Sequence, residues 1–129
     1  MRLLLDTHVL LAVVDDRMEL LAGFIRDVVL DPGASVHASV ASLWEIAIKV
    51  RLRKLWVSVP LRSLPEVLER MRIQILVINH HHVLTVVEPE PAKRDPFDRL
   101  LLAQCTIENL RLVTVDRTLR KHPLAWRPT

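Results

Sequence analysis

Four carboxylates stand where an isolated acid is costly. Asp6 ends the apolar run Leu3-Leu4-Leu5, and Asp116 ends Leu112-Val113-Thr114-Val115. Asp98 precedes Leu100-Leu101-Leu102-Ala103, and Glu45 stands inside Leu43-Trp44-Glu45-Ile46-Ala47-Ile48. A buried anion has to be paired or has to hold a metal. Acids drawn together from distant segments repel one another, and a hard divalent cation relieves that repulsion. Oxygen donors of this kind point to Mg²⁺ or Mn²⁺ and to hydrolysis of a phosphodiester.

Each acid also has an ordinary local use. Asp95-Pro96-Phe97-Asp98 reads as a helix start, with Asp95 as N-cap, Pro96 at the first helical position and Asp98 facing the helix dipole. Asp95 capping and Asp98 binding a metal are compatible. Lys49 lies four residues after Glu45, the favoured order for a helical ion pair. Asp6 before Thr7, and Asp116 before Arg117-Thr118, each suit a turn or a helix N-cap. Four such acids together are harder to explain this way than any one of them.

Strands and helices alternate along the chain. Arg2 to Asp6 is an expected strand. Val9 to Leu30 has helical periodicity, broken near Asp15-Asp16, and Asp31-Pro32-Gly33 is a turn. Ser35 to Ala38 follows as a strand, and Ser39 or Ser42 caps a helix to about Arg53. Leu55 to Val59 is an expected edge strand. Ser63 to Met71 is an expected helix, Ile73 to Ile78 a strand, and Asn79 caps a helix through Val87. Glu88-Pro89-Glu90-Pro91 is an extended loop. Asp95 begins a helix to about Asn109, and Arg111 to Val115 is a strand before a short helix to Lys121. Leu124 to Trp126 is a candidate last strand. Continuous apolar strands alternating with helices predict a parallel sheet covered on both faces, an α/β/α sandwich. Right-handed crossovers put the carboxyl ends of such strands on one edge, where ligands bind. Asp6 and Asp116 fall on that edge.

At 129 residues the chain is expected to form a single domain spanning residues 1–129. Its net charge of +3 is only mildly basic, compatible with a nucleic acid partner. Cationic clusters at Lys93-Arg94 and at Arg117, Arg120 and Lys121 flank two of the acids in sequence. Arg99, Arg117 and Arg94 are the candidates for holding flanking phosphates, with Lys93 assisting. Tyrosine is absent and aromatic content is 4%, which disfavours a base-stacking platform. Cys105 is the lone cysteine, so an internal disulfide and a cysteine-built zinc site are excluded; it reads as a small core residue. With two glycines there is neither a P-loop nor a dinucleotide fingerprint. The His80-His81-His82 run reads as an exposed helix edge. No apolar run is long enough to cross a bilayer, and Asp6 interrupts the first too soon for a signal peptide. A cytoplasmic protein without membrane attachment is expected.

Four segments taken in order resemble PIN-domain proteins of the VapC type, the toxin half of type II toxin–antitoxin pairs. They are Leu3-Leu4-Leu5-Asp6-Thr7-His8-Val9-Leu10-Leu11, Ser42-Leu43-Trp44-Glu45-Ile46-Ala47-Ile48-Lys49, Arg94-Asp95-Pro96-Phe97-Asp98-Arg99-Leu100-Leu101-Leu102-Ala103-Gln104 and Leu112-Val113-Thr114-Val115-Asp116. The resemblance implies a Mg²⁺- or Mn²⁺-dependent endoribonuclease, usually a homodimer, silenced by a cognate VapB-type antitoxin. It maps the acidic positions onto Asp6, Glu45, Asp98 and Asp116, with Asp6 and Asp98 as central ligands. Thr7, Asp95 and Thr114 match auxiliary positions. Two departures stand out. Lys93 occupies a place usually held by His, and Ala12-Val13-Val14 lacks the common Trp. Neither removes an acid. Rival expectations are an RNA- or partner-binding module without catalysis, and a phosphatase or DNA nuclease built on the same acids.

Overall fold

The computed structural model describes residues Met1–Thr129. Four parallel strands, β1 (Arg2–Leu5), β2 (Ser35–Ser39), β3 (Gln74–Leu76) and β4 (Arg111–Val113), form one sheet in the order β3-β2-β1-β4. Six α-helices connect and cover them: α1 (Thr7–Val14), α2 (Gly23–Val29), α3 (Val40–Arg51), α4 (Leu64–Arg70), α5 (His80–Leu84) and α6 (Pro96–Glu108). The expected α/β/α sandwich is the fold observed.

Side chains alternate across a strand, so β1 feeds two cores at once. Leu3 and Leu5 join Val36, Ala38 and Val113 on one face, under α1, α2 and α4. Leu4 joins Leu112 on the other, under α6. Helix α3 supplies both layers, Ile46 to the first and Ala41 to the second. Leu3, Leu4 and Leu5 have no exposed surface, and each stabilises the fold by about 1.5–3 kcal/mol through burial. This explains the unbroken apolar run: a central parallel strand has no solvent face. Cys105 lies in the second core, and burial pushes its thiol up to about 12.

Several expected elements come out shorter. Leu55 to Val59 is not a strand. The Ser58 N–H donates to Asp15 Oδ1 at 3.0 Å instead of to a ladder, while Leu55, Val57 and Val59 pack on the first core. Helix α5 ends at Leu84 rather than Val87; β-branched Thr85-Val86-Val87 runs into Glu88-Pro89, which disfavours helix. β4 ends at Val113, not Val115, because its partner β1 ends at Leu5. β3 is likewise trimmed from Ile73–Ile78 to Gln74–Leu76. The segment Leu124–Trp126 makes one parallel bridge, Leu112 to Ala125, rather than a full strand. The break near Asp15-Asp16 is present, with a 3₁₀ turn at Met18–Leu20 between α1 and α2. The short helix before Lys121 is also 3₁₀, over Leu119–Lys121.

Candidate active site

The carboxyl edge of the sheet gathers the acids. Asp6 follows β1 directly and its N–H donates to Val113 O at 2.9 Å, which sets the ends of β1 and β4 side by side. The same residue is the N-cap of α1, its Oδ1 accepting from the Val9 N–H at 2.8 Å. Capping therefore holds a carboxylate at the sheet edge. Asp6 is almost wholly buried, and burial pushes its carboxyl above the usual range. The Thr114 hydroxyl and the Val9 N–H oppose that shift by donating to the ionised form. Thr114 Oγ1 also accepts from the Asp116 N–H at 3.1 Å. One hydroxyl thus links two of the acids.

Glu45 reaches the edge from α3. Ser39, the last residue of β2, caps this helix through the Ala41 N–H at 3.0 Å, so Glu45 sits in its second turn, close to the strand ends. Thr7 donates to Glu45 Oε1 at 2.7 Å and lies 3.0 Å from Ser42 Oγ. Lys49 holds the other oxygen, Oε2, at 2.8 Å. The expected helical ion pair is present, yet Glu45 is buried.

Asp98 arrives on the first turn of α6. Asp95 caps that helix, accepting from Phe97 N–H at 2.8 Å and Asp98 N–H at 3.4 Å. The Asp98 carboxyl is pushed up to about 7, first by burial and then by the negative charges of Asp95, Asp6, Glu45 and Asp116. All the sequence-derived acids therefore act on one carboxyl. Asp116 differs. Lys93 Nζ binds its Oδ2 at 2.8 Å, and the Thr118 and Leu119 N–H groups reach its Oδ1 at 2.8 and 3.0 Å. The Lys93 contact, with the backbone bonds, holds Asp116 below the usual carboxylate range, and Asp116 raises Lys93 in return.

The donor set is oxygen only, which suits a hard cation. As arranged, no group of three or more His, Cys, Asp or Glu side chains closes into a cage for a metal. Glu45 and Asp116 have both oxygens engaged by protein donors, whereas burial and like charge alone govern Asp98. This fits an ion that keeps its waters and takes few direct carboxylates, the habit of Mg²⁺.

The cationic rim is less uniform than its sequence implied. Arg99 pairs with Glu90 at 3.1 Å. Arg94 and Arg117 are exposed. Lys93, expected only to assist at the rim, bonds directly to an acid. Ser42, in sequence only a possible helix cap, joins the site at Thr7, and its place three residues before Glu45 puts it on the same helix face. The histidine run needs correction. His80 and His81 are exposed, but His82 is buried. Its Nδ1 accepts from the Asn79 N–H at 3.1 Å, and its Nε2 lies 2.8 Å from Glu108 Oε2. The ring staples α5 to α6, away from the acids.

A parallel sheet flanked by helices, with acids from two strand ends and two helices meeting at its carboxyl edge, defines a nuclease-type α/β domain. The PIN domain family matches residues 3–123, and the chain belongs to that family. The PIN domain is generally a nuclease fold that uses divalent metal ions, so a nucleic acid is the implied substrate. No curated protein matches the chain. No helix is long and apolar enough to cross a membrane.

Proposed function

We propose that this PIN domain is a VapC-type endoribonuclease toxin, dependent on Mg²⁺ or Mn²⁺ and neutralised by a cognate antitoxin. It acts in the cytoplasm, and we assign it a homodimer. The observation that carries the catalytic part is the convergence of Asp95, Asp6, Glu45 and Asp116 on Asp98, whose carboxyl stands near 7. Such repulsion is retained where a cation or a reacting group uses it. The toxin assignment rests on the four ordered motifs.

Asp6 and Asp98 would be the central ligands of a bound ion, and Glu45 and Asp116 would hold it directly or through water. When bound, a divalent ion supplies a water of lowered pKa and charge neutralisation at the phosphate. The chain's own residues prepare the place. Val9 N–H and Thr114 fix Asp6. Thr7 and Lys49 hold Glu45 in one rotamer. Thr114 also positions the backbone that presents Asp116, and Asp95 orients the helix turn that carries Asp98. Exposed Arg94 and Arg117 hold flanking phosphates, and Arg99 does so on leaving Glu90.

The decisive experiment is RNA cleavage by the purified protein freed of any copurifying partner, with Mg²⁺ or Mn²⁺, beside EDTA and Asp6→Asn controls. Discrete products that vanish in both controls support the reading. Products that persist in both would come from a contaminant and remove it. A second reading, an RNA- or partner-binding PIN domain without catalysis, has one observation in its favour. Lys49 and Lys93 already hold two of the acids. Stoichiometric RNA binding with no turnover in either metal would decide for it.

A further inference from the structure

We propose that the cleft between the last 3₁₀ turn and the C-terminal tail is a second phosphate subsite, which grips the RNA backbone some nucleotides away from the bond cut at the acids. This rests on the ribonuclease reading and extends it.

Arg117, Arg120, Lys121, Arg127 and Pro128 line the cleft, with no acid and no hydrophobic residue among them. Four cations of one sign meet there without a carboxylate, an arrangement that repels itself until an anion arrives. Two of the guanidiniums are already fixed. Arg127 donates from Nε to Arg120 O at 3.0 Å and from an Nη to His122 O at 3.2 Å. That leaves three of its five N–H groups for a ligand. Arg120 lies over the Phe24 ring, 4.8 Å from its centroid. A guanidinium held in place loses little entropy on taking up a phosphate.

The cleft connects to the acids. Lys121 lines both this cleft and a neighbouring one that contains Lys93 and Thr118. Lys93 in turn sits 2.8 Å from Asp116. The one acid along this route, Glu90, is paired with Arg99. A strand whose phosphate lies at Asp116 therefore meets Lys93, Lys121 and Arg127 in succession. Four cations and no hydrophobic residue in the lining select the class of ligand. Protein partners bury an apolar centre at their interfaces, whereas a nucleic acid backbone needs only charge and donors. The tail joins the route because His122 and the Ala125 bridge anchor it to the sheet: His122 Nε2 donates to Pro89 O at 2.8 Å.

The test is salt-dependent RNA binding by the full chain carrying Asp6→Asn, which binds without cutting, in EDTA. Fluorescence anisotropy is read on fluorescein-labelled single-stranded RNAs of about 4 and about 16 nucleotides, spanning the range of single-strand site sizes. Each lost phosphate contact lowers the slope of log K against log salt by about 0.7. Lys121→Gln together with Arg127→Gln should lower it by about 1.4 on the long RNA and leave the short RNA unchanged. Lys121→Gln alone makes half that change and leaves the tail's backbone bonds in place, so tail disruption is separated from lost charge. An unchanged slope on the long RNA overturns the subsite, as does an equal loss on both lengths. Weakened binding of poly-glutamate without weakened RNA binding overturns it in favour of an acidic protein partner. Failure of the ribonuclease reading shows separately, as absence of cleavage by the parent chain in Mg²⁺ or Mn²⁺.

Discussion

Two polar clusters are buried in this molecule, and they are built on opposite terms. Around His82 both ring nitrogens are met by hydrogen-bond partners. Asn79 caps α5 through the His82 N–H, and the Asn79 N–H donates back to the ring. With Nδ1 accepting, the ring is the neutral tautomer, and Nε2 donates to Glu108. Gln104 Oε1 is the one buried polar atom there without a partner. At the carboxyl edge of the sheet the charges are of one sign. Asp6 and Asp98 are both raised by burial, and the lysines on Glu45 and Asp116 offset part of the excess. The first cluster stabilises the fold; the second stores repulsion that a cation would release.

The largest effect that would break this contrast is on activity. Asp6→Asn should lower RNA cleavage by roughly a thousandfold, several kcal/mol of barrier. Asn is as good an N-cap as Asp, so the melting temperature should hold or rise. Parallel loss of both activity and folding would mean that Asp6 belongs with the structural cluster. His82→Ala is the mirror experiment. It removes a buried, hydrogen-bonded ring and should cost about 2–4 kcal/mol by urea unfolding, with cleavage retained at temperatures where the protein is folded.

A third prediction concerns pH. The folded-state Asp98 carboxyl stands near 7 against an ordinary value of 3.8. Between these values the folded state binds more protons than the unfolded one, so stability falls as pH rises. Metal-free protein should lose about 1–2 kcal/mol between pH 4 and pH 7, allowing for the solvent screening of a half-exposed group. Asp98→Asn should flatten that slope, measured as urea midpoints in EDTA. Mn²⁺ should stabilise the parent more at pH 8 than at pH 5, since it binds the ionised form. A slope unchanged by Asp98→Asn would place the repulsion elsewhere. The smallest effect is at the rim. Lys93→Ala should leave the melting curve almost unmoved, because exposed pairs contribute little. It should bring the Asp116 carboxyl back toward the ordinary range, read by carbonyl NMR titration. An unmoved Asp116 would make the two backbone donors the whole cause.

Sequence alone carried the alternation of strands and helices, the sandwich, and the acids at strand ends. The apolar run Leu3-Leu4-Leu5 reads as a strand, and Asp95-Pro96 as a helix start. Local rules govern both, through burial on two faces and through φ and the missing N–H of proline. Element lengths were less legible. β4 stops at Val113 because β1 has ended, and pairing is a property of the partner strand. The burial of His82 is hidden from sequence for the same reason, since its partner Glu108 lies 26 residues away on another helix.

Sequence by itself determined which residue types and which secondary structures were present, because periodicity, capping and acid placement are short-range physics. Tertiary structure alone decided which charges face one another. Thr114 ties Asp6 to Asp116, Lys93 crosses to Asp116, and Arg127 turns back over Arg120. Those pairings decide how far each acid is shifted and where a polyanion would find cations. They depend on distances through space, to which spacing along the chain is blind.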